Sequence, residues 1–142
     1  MIIEINNMES DQQVITATAR STNTIDLGQN GTPPGEDGAV KGDIGKGYPI
    51  PILIQVTEDF ATLTSLTVTL ETDDNTSFSS AKVLATETIL LADLVAGKKT
   101  FMQMLPTGAN ERYLSVNYTV NGSDATAGKI KSGIVMGIQN EY

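Results

Sequence analysis

The sequence predicts an all-β protein, an antiparallel, jelly-roll-like β-sandwich of about eight short strands with one long glycine-rich loop. The clearest evidence is the alternation of apolar and polar residues in two segments, 66–72 (LTVTLET) and 112–120 (RYLSVNYTV). Alternate residues of a strand point to opposite faces of a sheet, so each segment presents one apolar face. Turns rich in Gly, Asn, Asp and Ser separate such segments, at the spacing expected of a sandwich or barrel. An immunoglobulin-like sandwich is the alternative architecture.

The chain begins with a segment, residues 1–13, that is predicted to form an N-terminal arm before a single β domain of residues 14–142. Ile2, Ile3 and Ile5 are apolar, whereas residues 6–13 are almost all polar. Terminal segments are poorly ordered unless other parts of a structure hold them. Two interpretations stay open: a short edge strand, or an arm that lies on a partner subunit. In the second, Ile2, Ile3 and Ile5 are the candidate partner-binding residues.

A long loop follows two short predicted strands at residues 14–19 and 22–27. Residues 28–47 contain seven glycines and a Pro-Pro pair, a composition that cannot form a packed element. Loops of this length inside a compact domain are either functional or disordered. The sequence leaves both possibilities open for this flexible Gly/Pro-rich loop.

The remaining strands follow from shorter apolar runs. They are predicted at residues 50–57, 66–72, 79–89, 100–105, 112–120 and 129–139. Residues 59–65 are predicted as a connector, 121–128 as a turn, and 90–96 as a short helix or a tight bend. In the last two strands the residues expected to face inwards are Leu114, Val116, Tyr118, Val120, Ile130, Ser132, Ile134, Met136 and Ile138. Those expected to face outwards are Tyr113, Ser115, Asn117 and Thr119.

Composition argues against several classes of function. The 142 residues include no His and no Cys, which removes thiolate nucleophiles, the imidazole of a catalytic triad and the usual zinc sites. The net charge of −8 repels phosphate backbones, so we expect no nucleic-acid partner. No stretch approaches the roughly 18 apolar residues of a membrane helix, and the N-terminus lacks the features of a signal peptide. We therefore expect no enzyme, no cofactor and no membrane association.

The glycine-rich loop contains one misleading spacing. Gly42 and Gly47 are separated as in a P-loop, but Tyr48 and Pro49 stand where Lys and Ser or Thr should reach phosphate and magnesium. The loop is therefore not interpreted as a nucleotide site.

Carboxylates at two places could offer oxygen atoms to calcium, namely Asp37 with Asp43, and Glu71 with Asp73 and Asp74. Neither group has the order of an EF-hand loop. A pair of carboxylates could also serve a glycosidase, but such clefts usually add aromatic platforms, and the chain has four Tyr, three Phe and no Trp. Solvated turn residues are the simpler interpretation, so no catalytic, cofactor or metal residue is assigned.

Several segments, in order along the chain, match the sequence of a known family. The most specific are the TDDN-x-x-F-S-S turn at 72–80 and the NERYL stretch at 110–114. The others are ITATARSTNTIDLG (15–28), GDIGKGYPIPILIQVTEDF (42–60), LVAGKK (94–99) and GKIKSGIVMGIQ (128–139). With these segments the chain resembles the capsid cement (decoration) proteins of tailed bacteriophages, of the kind seen on the Bordetella phage head. Residues 29–39 depart from the resemblance as an insertion, so it says nothing about that part of the loop.

The resemblance implies a jelly-roll-like structural virion protein without enzymatic activity. Such proteins are made in the host cytoplasm and bind the outer surface of the head, where they bridge neighbouring major capsid proteins and stabilise the expanded shell. It also implies a homo-oligomer, with a dimer favoured over a trimer. The alternative function is a carbohydrate- or receptor-binding β-sandwich, since jelly rolls also occur in lectins. A hydrolase that uses the acidic residues is the weakest interpretation.

Overall fold

Strands make up most of the computed structural model, which describes residues 3–40, 42–102 and 104–137. In those ranges the strands are β1 (Ile3–Val14), β2 (Ala19–Arg20), β3 (Ile25–Asp26), β4 (Ile52–Asp73), β5 (Lys82–Leu90), β6 (Lys99–Met102) and β7 (Tyr113–Val135). Two short 3₁₀ turns, Ile44–Lys46 and Leu91–Asp93, are the helical elements of the same ranges. None of the described helices is long and apolar enough to cross a membrane.

The two long strands, β4 and β7, pair with each other along most of their length and form the centre of the sheet. The strand order is β1-β7-β4-β5, with β2 and β3 on the outer side of β7 and β6 on the outer side of β4. All these pairings are antiparallel. The predicted all-β, antiparallel class is therefore confirmed.

The sheet folds over on itself where both long strands become irregular. The β4–β7 register shifts four times between Val56 and Ser65. On β7 the bend runs from Gly122 (φ 91°) to Gly128 (φ 140°), and a Cβ on Gly128 would overlap the Phe60 ring. Glycine is therefore required at this close approach. The bend brings the two ends of β7 against each other, since Tyr118 and Ser132 share a hydrogen bond of 2.7 Å.

The bend produces a sandwich of two layers. One layer contains β1, the second half of β7, the first half of β4 and β6, and the other contains β2, β3, β5 and the remaining halves of the long strands. One core cluster joins side chains of both layers. Its fully buried members are Ile15, Ile52, Leu66, Val68, Leu70, Leu94, Leu114, Val116, Tyr118 and Ile130. The apolar faces predicted at 66–70 and 114–118 are thus confirmed.

Two segments that were predicted to interrupt strands instead continue them. Residues 59–65 belong to β4, and residues 121–128 belong to β7. Their turn-forming residues bend each strand without reversing the chain, because the two irregular segments lie opposite each other. Eight strands were predicted, and the described ranges contain seven. The predicted strands 50–57 and 66–72 are both part of β4, and 112–120 and 129–139 are both part of β7, whereas β1 is an additional strand. This strand order does not confirm the jelly-roll connectivity.

The segment after β1 also differs from the prediction. Residues 15–18 are not a strand, although the backbone of Ile15 and Thr16 is still hydrogen-bonded to β7 and Ile15 is buried. Of the next predicted strand, only Ile25–Asp26 pairs with β7. Ser115, predicted to face outwards, is buried because the Ser21 hydroxyl covers it at 2.8 Å. Ser21, in the link between β2 and β3, therefore covers a side chain of β7 that was expected to meet solvent.

The glycine-rich loop is attached at its far end. Asp43 accepts hydrogen bonds from the backbone N–H of Gly45 at 3.0 Å and of Gly108 at 2.8 Å. Gly45 lies so close to the 105–109 segment that a Cβ there would meet the Pro106 carbonyl oxygen. Residues 28–40 are nearly all exposed. The predicted flexibility of this loop stays a prediction.

Candidate interaction surface

One end of the sheet gathers several chain segments that are distant in sequence. The Ile50 carbonyl accepts from the N–H of Leu105 at 2.9 Å, and the Pro51 carbonyl accepts from the N–H of Val135 at 3.1 Å. Ile3, at the start of β1, pairs in register with Val135. The entry to β4, the exit from β7, the segment after β6 and the start of β1 therefore meet at this end.

Three large side chains near these contacts are exposed. Tyr48 is 91% exposed, Met136 82% and Met104 56%. We call these three residues the apolar end. Single exposed apolar residues are common, but several at one end of a rigid sheet are typical of a contact surface. Tyrosine is enriched at interaction hot spots, and the unbranched methionine adapts to irregular partners.

The predicted partner-binding isoleucines belong to the same end only in part. Ile2 lies outside the described residues, as do the side chains of Ile3 and Ile5. The backbone of Ile3 and Ile5 is part of β1, which is an edge strand of the protein's own sheet. The backbone of this segment therefore forms an edge strand, which is one of the two interpretations of the sequence. Contact of the isoleucine side chains with a partner stays a prediction.

Sequence reasoning missed the apolar end for identifiable reasons. Met136 was assigned to the inward face of the last strand, but β7 ends at Val135. Met136 therefore lies just beyond the strand, where the alternation of buried and exposed residues no longer applies, and its side chain is exposed. Met104 was placed in a strand that ends at Met102. Tyr48 stood out only as a misfit to a P-loop. Strand ends are the part of an alternating pattern that sequence fixes least.

A polar pocket of about 580 Å³ lies elsewhere, next to β3 and the start of β7. Its lining residues are Gly28, Gln29, Asn30, Asp74, Asn110, Glu111 and Arg112. The Arg112 guanidinium is held by both carboxylate oxygens of Asp26, at 2.9 and 2.7 Å, and this contact lowers the pKa of Asp26 to about 2. None of the lining residues is aromatic, so the pocket offers no platform for stacking a sugar ring.

The acidic turn after β4 has a structural explanation. Asp73 accepts from the backbone N–H of Asn75 at 3.1 Å and of Ser80 at 2.9 Å. Phe78 is buried in this turn at φ 50°, and the Arg20 guanidinium lies 4.1 Å above its ring. Among the described residues no group of three or more His, Cys, Asp or Glu could hold a metal ion. Asp73 therefore acts as a turn residue, but the prediction that its charge is solvated was wrong, because Asp73 is buried and its oxygens accept backbone N–H groups of the turn.

A comparison with models of known protein families shows to which family this chain belongs. The family model named Bbp16 matches residues 9–134, which is most of the chain and extends from β1 almost to the end of β7. The chain belongs to the Bbp16 family. The family takes its name from a Bordetella phage protein. No curated protein matches the chain.

The Bbp16 match includes part of the apolar end. Tyr48 and Met104 fall inside the matched range, whereas Met136 and the isoleucines of the N-terminus fall outside it. The match also includes the acidic turn and both bent strands. The Bbp16 match thus covers the folded sheet, and it leaves residues 1–8 and 135–142 outside the family comparison.

Proposed function

We propose that this Bbp16-family protein is a capsid cement (decoration) protein. It binds the outside of a tailed-phage head, bridges neighbouring major capsid proteins and stabilises the expanded shell. The observation that carries the proposal is the Bbp16 match over residues 9–134, because the family name is that of a phage protein. The segments similar to cement proteins support it as well. The proposal includes the absence of enzymatic activity and a location on the virion surface.

The architecture suits such a role. Each long strand runs through both layers, so the core holds the apolar end on a rigid sheet. A protein that bridges two neighbours needs contact surfaces in fixed positions, because binding to the second neighbour then occurs at high effective concentration. Weak contacts made by Tyr48, Met104 and Met136 can then give stable attachment over the whole shell.

Homo-oligomerisation, with a dimer favoured, is part of the proposal. Within the described residues β5 pairs only with β4, which leaves its outer edge available to a strand of a second copy. Exposed edges of this kind are sites of strand addition. Sedimentation velocity of the purified chain measures this directly: a single monomeric species at all concentrations contradicts it.

Cementing is tested by the heat resistance of expanded heads that lack the protein. We expect such heads to rupture at a higher temperature after incubation with the purified chain, and we expect serum albumin to have no effect. Unchanged rupture in the presence of saturating protein contradicts the proposal.

A carbohydrate- or receptor-binding module is the second candidate, and the polar pocket beside Arg112 is the observation that favours it. Amide and carboxylate groups such as those of Asn30, Asn110 and Glu111 can bind sugar hydroxyls. A glycan array separates the two functions: specific binding that Asn110→Ala abolishes supports the second candidate. An array without specific signals removes it.

A further inference from the structure

Glu9 is a fully buried carboxyl group on the edge strand β1. Its side chain is inaccessible to solvent, and neither carboxylate oxygen has a hydrogen-bond partner. Buried carboxylates normally receive a cation or several N–H donors, since an ionised carboxylate in an apolar interior is very costly. The surroundings of Glu9 therefore suit the protonated acid better than the anion.

A β-bulge places this side chain in the interior. Met8 pairs with Gly133 and Ser10 pairs with Ser132. Two residues are therefore advanced along β1 where one is advanced along β7. Glu9 is the extra residue, and its carbonyl accepts from the N–H of Asn23 at 2.9 Å, outside the β1–β7 ladder. Bulges commonly re-aim one side chain, and here the bulge directs a carboxyl group inwards.

The groups that face Glu9 are neutral hydroxyls. Tyr118, a titratable group that interacts with Glu9, shares hydrogen bonds with Ser10 at 2.9 Å and with Ser132 at 2.7 Å. Burial raises the pKa of Tyr118 above its usual range, so this phenol stays neutral. The Ser132 hydroxyl lies close to Glu9 and favours its anion slightly, but its hydrogen bond is with Tyr118.

The cations on the neighbouring strands pair with other carboxylates, although one guanidinium nitrogen of Arg20, Nη1, is buried without a partner. On the outer side of the same strand pair, Lys131 lies 3.4 Å from Asp11. Lys129 pairs with Glu58 and Arg20 pairs with Glu71. Burial accordingly raises the pKa of Glu9 from 4.5 to about 8, and the Ser132 hydroxyl opposes that rise.

We propose that Glu9 is a proton-dependent latch for β1, which holds the strand on β7 while the carboxyl is protonated and releases it when the carboxyl ionises. The pairing of β1 with β7 is suited to release, since its register is broken at three places between Ile3 and Gln13. Release uncovers the edge of β7 from residue 129 to residue 135. The inference is independent of capsid binding.

The direction of the pH effect follows from linkage. The carboxyl of a released strand titrates at the ordinary value of 4.5, whereas that of a docked strand titrates near 8. The docked strand is therefore most stable below pH 4.5 and loses stability as the pH rises to 8. Over that interval the equilibrium constant for release increases by about tenfold per pH unit, and outside it the constant is flat.

Hydrogen exchange of the whole chain, followed by mass spectrometry at several pH values between 5 and 9, measures this release. Exchange rates are divided by those of the unfolded chain at each pH, which removes the intrinsic effect of hydroxide. We expect protection of β1 peptides to fall by about tenfold per pH unit up to pH 8, while peptides from residues 65–73 keep theirs. Glu9→Gln should remove the slope, and the matched control Asp11→Asn, on the same strand but exposed, should retain it.

Three outcomes overturn the latch. In the first, protection of β1 in the native sequence does not change with pH. In the second, residues 65–73 lose as much protection as β1 does. In the third, protection of β1 in the Glu9→Gln variant still falls with pH as it does in the native sequence. If Glu9→Gln does not fold, the carboxyl ¹³C shift of Glu9 in the native chain decides the question. A midpoint well above 4.5 that coincides with the loss of β1 protection supports the latch, and a midpoint near 4.5 overturns it.

Discussion

Tyr118 and Ser132 lie fourteen positions apart on one strand, yet their hydroxyl groups are 2.7 Å apart. In a straight strand the same separation would span about 46 Å. The bend between Gly122 and Gly128 makes the contact possible, and the same Tyr118 hydroxyl also reaches Ser10 on β1. One phenol therefore connects the two layers of the sandwich.

We expect Tyr118→Phe to destabilise the protein by about 2 kcal/mol, because two buried hydrogen bonds are lost and the hydroxyls of Ser10 and Ser132 lose a partner. Urea unfolding followed by circular dichroism measures the change. Tyr48→Phe is the control, since Tyr48 is exposed, and it should leave the unfolding midpoint unchanged. Equal midpoints for all three proteins would show that the contact does not hold the layers together.

We expect Gly128→Ala to cost about 2 to 4 kcal/mol. The added methyl group would overlap the Phe60 ring, and the φ of 140° is unfavourable for a residue with a Cβ. Thermal unfolding compares it with Gly38→Ala, where the added group meets open space at an exposed position. A melting temperature equal to that of Gly38→Ala would contradict the close approach at the bend.

We expect Val116→Asp to abolish folding, because Val116 is fully buried and the new carboxylate would have no partner in the core. Val83→Asp serves as the control, since Val83 is 55% exposed on β5. Far-ultraviolet circular dichroism and a thermal melt distinguish them. A cooperative melt of Val116→Asp at the native temperature would show that the assigned face of β7 is wrong.

Sequence patterns identified the core of this protein and missed its bends. Alternation is reliable for residues 66–70 and 114–118, because both segments pair on two sides and bury one face in the core. Residues 59–65 and 121–128 contain turn-forming residues, and nothing local shows that each segment continues a strand by pairing with the other.

The site residues were hidden for a different reason. Glu9 lies in a polar run, and the bulge that turns it inwards depends on the register with β7. The exposure of Met136 depends on where β7 ends. Both properties depend on how β1 and β7 pair with other strands, and the sequence of one strand does not reveal that pairing.

We expect the double variant Tyr48→Ser with Met136→Ser to bind expanded heads at least about tenfold more weakly, because exposed anchors of this kind carry much of a contact's energy. Stability should be unchanged, since both side chains are exposed. Val40→Ser with Val95→Ser removes two exposed apolar side chains elsewhere and should bind normally. Equal binding by both double variants would place the contact surface away from the apolar end.

Deletion of residues 1–7 tests the isoleucines at positions 2, 3 and 5. Met8 to Val14 still pair with β7 after the deletion, so we expect a folded protein. Attachment to heads should weaken if the isoleucines bind the partner. Native affinity of the truncated chain would remove them from the contact surface.

The central claim is that this protein binds the expanded phage head. Co-sedimentation of the purified chain with expanded heads that lack it, alongside unexpanded heads, tests the claim most directly. We predict saturable binding to the expanded heads, at a fixed ratio to the major capsid protein, and little or none to the unexpanded heads. Absence of binding to both would contradict the assignment as a cement protein.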